Sequence, residues 1–437
     1  MNPSSLPRRG NCLCLATGVL LLSAYATGGG SFDRGVGDAA TQLVACLVLA
    51  LACARLLHPA EPPPRALRVA LVLAALVPAG LLFQILGGTS KTPWATERGL
   101  WALLPGLGAF VAAVALPRRQ QVPLAWTIVL AATASLVLGL LQLGAPQDSI
   151  LNPFPQWQPA LNGFFANQNH QATGIGIALV LLAAWAFDPR RRTHARHARA
   201  AGLVAVAGLA VLLLVALPIV GSRAMTLISL GALLLVPVGT GWLAQRLERR
   251  EHSRQGTFLL LGGMLAAACL LAAVSAWVKT DYASGTRIAM ARNTAALAAE
   301  AMPWGTGVGS FVQWYDAHTP DQALQWAYVN HAHNEYAQWW LESGVLGLAW
   351  IAVLAAGMAW SFPRRAWRGE AGDWLATGSW LAVAVVLAHS IADYPLRTPA
   401  IMTVAAFLGG VAVRAAAQAR DGDPAPAARA SGVERPA

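Results

Sequence analysis

The stretch HAHNEYAQWWLESGVLGL, residues 331–348, joins titratable groups directly to an apolar run. His333, Asn334 and Glu335 stand at its head. An imidazole beside an amide and a carboxylate suits proton transfer and the holding of hydroxyls. A second set is cationic: Arg223 in PIVGSRAMTLISL, Arg287 and Arg292 in SGTRIAMARN, and Arg397 in HSIADYPLRTP, beside His389 and Asp393. The guanidinium fork matches phosphate oxygens, so these arginines suit a phosphorylated substrate. Each also has a plainer reading. Arg223 can snorkel to lipid headgroups, Arg287 and Arg292 can lie on a solvated helix face, and Asp393 can pair with Arg397 as a rim ion pair. His331 and His333 are spaced like a metal pair, but without clustered Cys or a carboxylate at ligand spacing they point away from a metal. No cofactor is expected.

The elements that must hold these groups are apolar. Of 437 residues, 56% are hydrophobic and 12% charged, where a soluble domain carries about a quarter charged. The apolar runs are roughly 20 residues long, enough to cross ~30 Å of hydrocarbon as helices. The fold class is therefore all-α, a polytopic membrane protein of about twelve spans, near 11–27, 39–57, 67–87, 99–116, 123–144, 170–188, 201–220, 224–244, 257–277, 336–360, 373–390 and 398–416. With the N-terminus in the cytoplasm, 23 of the 31 Lys and Arg residues fall on the cytoplasmic side, which sets the orientation. The net charge of +11 is thus topological and not a sign of nucleic acid. The five cysteines all lie in apolar runs, so no disulfide framework is suggested. Arg8 and Arg9 before an apolar stretch, with Ala24-Tyr25-Ala26 after it, imitate a signal peptide; the many spans that follow favour an uncleaved anchor.

This topology makes residues 1–418 one membrane domain and 419–437 a disordered cytoplasmic tail. The long loop between the ninth and tenth spans, 278–335, is periplasmic, as is 145–169. The arginines and histidines singled out above, with His170, then gather at one face, while the membrane midplane is nearly free of charge. A flippase or other transporter would place ionisable groups or broken helices at mid-membrane. Charge at one face suits an enzyme whose substrate has a lipid tail in the bilayer and a phosphorylated head outside it.

These residues resemble the O-antigen ligases and the related O-antigen polymerases and protein O-oligosaccharyltransferases. The family signature is His, then Asn, Ser or Gln, nine residues, Gly, two residues, and Gly, Thr or Tyr; His333-Asn334 followed by Gly344 and Gly347 fits it. GFFANQNHQA (163–172, with Asn169 and His170), GSRA (221–224), TRIAMARN leading to MPWGTGVGSF (286–311) and HSIADYPLRTPA (389–400) are also similar to the family, so the resemblance spans roughly 150–410. It implies an undecaprenyl-diphosphate-linked glycan as donor and an acceptor hydroxyl on the periplasmic face of the bacterial inner membrane, with neither nucleotide nor metal. The acceptor is lipid A-core for a ligase and another lipid-linked repeat for a polymerase; ligase is preferred. Arg223 and Arg287 match the essential arginines, His333 the essential histidine and His170 the histidine of the earlier loop. Arg223 and Arg287 would neutralise the leaving diphosphate and His333 would act as base, in a single inverting displacement. Asn169, Arg292, Asn334, Glu335, Asp393 and Arg397 are expected around the substrate, and Gly344 and Gly347 are expected to allow close helix approach.

Overall fold

The computed structural model describes residues 6–30, 35–57, 63–146, 148–154, 161–190, 196–248, 282–319, 329–370 and 372–421. Among them there is no strand. The helices are α1 (Leu6–Thr27), α2 (Gly35–Leu57), α3 (Arg65–Leu86), α4 (Pro93–Ala102), α5 (Leu104–Ala115), α6 (Arg118–Gln142), α7 (Gln168–Ala186), α8 (Arg196–Val220), α9 (Arg223–Gly239), α10 (Trp242–Glu248), α11 (Tyr282–Glu300), α12 (Phe311–His318), α13 (Glu335–Trp360), α14 (Arg364–Trp367), α15 (Trp374–His389) and α16 (Pro399–Arg420). The protein is an all-helical, multi-pass membrane protein. Seven spans among the described residues are long and apolar enough to cross a bilayer, and three shorter apolar helices accompany them. The expected span 257–277 lies outside the described residues, as do parts of the 278–335 loop and the tail from 422. α16 runs to Arg420, two residues past the expected domain end.

α7 is the central helix. Every residue from Asn169 to Leu182 is buried, which is what a helix without a polar stripe requires. It packs on α6, α8, α9 and α15, while α16 packs on α5, α15 and α1. The end of α1 ties two segments together: Gly28 O accepts from Ala400 N (3.0 Å) and Gly29 O accepts from Ala166 N (3.0 Å). A Cβ on Gly29 would lie 1.7 Å from Phe164 O, so only glycine permits this approach. Tyr25, within the apparent cleavage site, is 1% exposed and meets Phe165 edge-on. The first helix is thus an integral part of the bundle.

α13 is two helices in one. At Gly344 the backbone turns to φ 55°, ψ −131°, and a Cβ there would fall 2.1 Å from Pro303 O. The break frees carbonyls that need partners. Thr306 N donates to Leu341 O (3.0 Å), Gly307 N to Glu342 O (2.8 Å), and Val345 N to Pro303 O (2.8 Å). The Gln84 amide of α3 donates to Glu342 O (2.8 Å) and accepts from Val308 N (3.3 Å). The role expected for Gly344 is therefore corrected: it marks a helix break sealed by the 303–308 loop, not a flat face for helix packing. Before the break Glu335, Gln338, Leu341, Glu342 and Ser343 are buried; after it, of the whole second half, only Gly347 is. The first half belongs to the protein interior and the second faces the bilayer.

Candidate active site

Asp393, in the short loop between α15 and α16, has no exposed surface and draws in side chains from three other segments. Asn169 Nδ2, in the first turn of α7, donates to Oδ2 at 2.6 Å, and the backbone N–H of Tyr394 donates to Oδ1 at 2.9 Å. His333 Nδ1 lies 3.2 Å from Oδ1 and Arg287 Nη1 3.7 Å from Oδ2. The His333 nitrogen is within ion-pair range of the carboxylate, but its N–H is not aligned for a straight hydrogen bond. His170 Nε2 is farther, at 3.9 Å, and its Nδ1 is engaged with Thr398 Oγ1 at 2.7 Å. Burial works to raise the Asp393 carboxyl, but the His333 contact and the charges of His333, His170 and Arg287 outweigh it and hold the group well below the usual carboxylate range.

His333 adopts φ 48°, left-handed for a residue with a side chain, at a cost of roughly 1–2 kcal/mol. Its neighbours enforce the turn. Asn334 caps α13 by accepting from Ala337 N (3.0 Å), and its amide donates to Ile391 O (2.9 Å). Glu335 N donates to Ser390 O (2.9 Å). Gln338 Oε1 accepts from Ala332 N (3.1 Å), and its Nε2 donates to His331 Nδ1 (3.2 Å) and Glu342 Oε1 (3.2 Å). The start of α13 and the Asp393 loop are therefore clamped face to face. Tyr394 packs among three imidazoles, with centroids 4.9 Å from His170, 4.1 Å from His331 and 5.0 Å from His333. Burial, and next the charge of Arg397, push His331 well below the usual histidine range, so it is neutral. His333 retains 18% side-chain exposure. With Nδ1 turned to Asp393, Nε2 is the nitrogen left for a substrate proton.

Arg397 does not pair with Asp393. It is buried, with Nε 3.2 Å from Glu335 Oε2 and Nη1 2.7 Å from Glu342 Oε2, and its guanidinium lies over Trp339 at 5.3 Å. Glu335 and Arg397 are thus partners of each other inside the protein. Arg292 also departs from expectation. It is exposed on α11; five residues beyond Arg287 is about 140° around a helix, and no contact brings it to Asp393. Arg223 is half-buried at the first residue of α9, after a turn whose Gly221 faces the Gln168 amide of α7. The turn before Arg223 thus meets the first residue of α7. Among the described residues no group of three or more His, Cys, Asp or Glu is arranged to hold a metal ion.

Residues 160–352 match the family described as O-antigen ligase. This segment is therefore similar to that family. No curated protein matches the chain. The O-antigen ligase segment includes Asn169, His170, Arg223, Arg287 and His333, but Asp393, Tyr394 and Arg397 lie beyond it, and so do Gln84 and the Gly28-Gly29 clamp. The match implies a membrane glycosyltransferase of ligase or polymerase type acting on lipid-linked glycans. Tyr394, Gln338 and Glu342 were missed from sequence. Glu342 did carry a signal: a carboxylate in an apolar helix, two turns from Glu335 and on the same face, asks for a buried cation.

Proposed function

We propose that the protein transfers a glycan from an undecaprenyl-diphosphate carrier to a hydroxyl of lipid A-core, at the periplasmic face of the inner membrane. The observation that carries this reading is the His333–Asp393 pair beside Arg287. His333 Nε2 takes the proton of the acceptor hydroxyl as its oxygen attacks the anomeric carbon. The bond from that carbon to the phosphate oxygen breaks, and undecaprenyl diphosphate leaves with the electron pair. Asp393 holds the ring and stabilises the imidazolium, the role of the third group in a base-orienting array. Arg287 and Arg223 meet the diphosphate charge as preorganised cations. A single displacement inverts the sugar carbon, and the arginines stand where a divalent cation would otherwise be needed. Asn169 and His170 stand against Asp393 in the same cluster. Asn334, Glu335 and Arg397 act by fixing its walls, and Arg292 is a candidate only for the outer approach.

Residues 1–418 form one membrane domain of twelve spans, with the loop between the ninth and tenth on the periplasmic side. The test is deletion of the gene followed by a lipopolysaccharide gel. Bare core with accumulated lipid-linked glycan is the expected result. Core carrying a single repeat identifies a polymerase instead, and an unchanged pattern overturns both. Transfer by the purified enzyme is expected to persist in chelator; loss restored by Mg²⁺ or Mn²⁺ overturns the metal-free mechanism.

A further inference from the structure

A cavity of about 430 Å³ opens away from the Asp393 cluster. Its size lies within the ~300–1,000 Å³ typical of small-molecule sites. Thr89 and Lys91 line it from the loop after α3, Glu300 from the end of α11, Trp304 and Thr306 from the glycine-rich loop, and Trp314 from α12. Both indoles are steadied by a neighbour. Trp304 packs against Phe83 (centroids 5.4 Å) yet stays 43% exposed, and Trp314 stacks on His318 at 3.9 Å. Lys91 N donates to Thr306 O at 2.8 Å, which joins the two loops into one wall.

The lining selects for a class of ligand. A phosphate would meet the Glu300 carboxylate. An acyl chain would strip water from Lys91, Glu300 and Thr89 without replacing their hydrogen bonds. Flat aromatic faces edged by donors and acceptors match a sugar ring, whose C–H face is apolar and whose rim is hydroxylated. Position agrees. Thr306 rests on the carbonyl of Leu341, six residues along α13 from Glu335, or about 9 Å, within the reach of an oligosaccharide whose reacting end lies at His333.

We propose that this cavity is a glycan subsite, holding a sugar of one of the two substrates away from the reacting bond. The proposal rests on the transferase reading above. It gives the helix break at Gly344 a further consequence, because the loop that seals the break also forms the cavity wall.

The experiment varies donor and lipid A-core acceptor separately for the purified full-length protein and for Trp304→Leu, Trp304→Phe and Lys91→Met. Alongside, equilibrium dialysis with a deacylated core oligosaccharide and with a glycan released from the donor measures binding without chemistry. Trp304→Leu is expected to raise KM for one glycan about tenfold, with kcat within twofold of wild type. Trp304→Phe should be milder, and Lys91→Met should raise the same KM. Which KM rises tells acceptor from donor. Matching loss of oligosaccharide binding supports the subsite even if wild type proves to transfer nothing, a result that would remove only the transferase reading. Folded variants with unchanged KM for both glycans and unchanged dialysis overturn the subsite. So does competition for the cavity by phospholipid but by neither oligosaccharide. Lys91→Met keeps the test decisive if the Trp304 variants do not fold.

Discussion

His333 Nδ1 lies 3.2 Å from Asp393 Oδ1, although 60 residues separate them in the chain. The carboxylate is fully buried and the imidazole beside it is partly exposed. Asp393→Asn keeps the shape but removes the charge that stabilises an imidazolium. Turnover is expected to fall by about 10²-fold or more, with donor affinity largely kept. His333→Ala should lose transfer by ~10²–10⁴-fold while still binding donor through Arg223 and Arg287. Turnover and donor-binding assays on both variants decide the matter. Equal loss of binding and turnover in His333→Ala would assign the histidine to diphosphate binding and not to proton transfer.

Arg223→Lys and Arg287→Lys retain charge but lose the two-pronged geometry. Both are expected to reduce kcat/KM strongly. Near-normal kcat/KM in both lysine variants would leave them as surface cations at the headgroup level.

Glu342 and Arg397 meet at 2.7 Å with almost no exposure. Removing Glu342 leaves the buried Arg397 with Glu335 alone, at 3.2 Å, and breaking a buried ion pair costs up to about 3–5 kcal/mol. Glu342→Leu should therefore lower the thermal unfolding temperature in detergent markedly. Arg292→Leu, on the exposed face of α11, should not. Similar unfolding temperatures for wild type and Glu342→Leu would show that the pair contributes little to stability.

His331 is held neutral by burial, below its ordinary range. The unfolded chain then binds more protons than the folded one as pH drops below about 6.5, so the sign is stability rising with pH. The contribution is present above about 6.5 and fades on acidification. Thermal stability measured between neutral and mildly acidic pH should decline in wild type and decline less in His331→Gln, whose amide does not titrate. Parallel declines would contradict the assignment.

Reporters fused at Gly163, Gly285 or Asp316 are expected to read the periplasm, and fusions at Arg192 or Arg250 the cytoplasm, from the partition of basic residues. A cytoplasmic signal at Asp316 would place His333 on the wrong side for a periplasmic transfer.

Much of this was legible in the residue order. Continuous apolar runs have one stable state in lipid, so helices and their approximate ends follow from hydropathy. His333, Arg223, Arg287 and His170 could be singled out because charged or titratable groups next to such runs need a reason. Pairing was another matter. Arg397 stands four residues from Asp393 in sequence, yet its partners are Glu335 and Glu342, because the loop between α15 and α16 docks against the first half of α13 and turns the two side chains apart. Asp393 gains its place at the centre only when Asn169, Arg287 and His333 converge on it. Gly344 reads as a small residue in a span; its left-handed φ and the loop carbonyl against it make it the point where an interior helix becomes a bilayer helix. Local order sets which segments are helical and where charge is unusual. Which charges meet depends on contacts between segments up to hundreds of residues apart, and those exist only once the helices have packed.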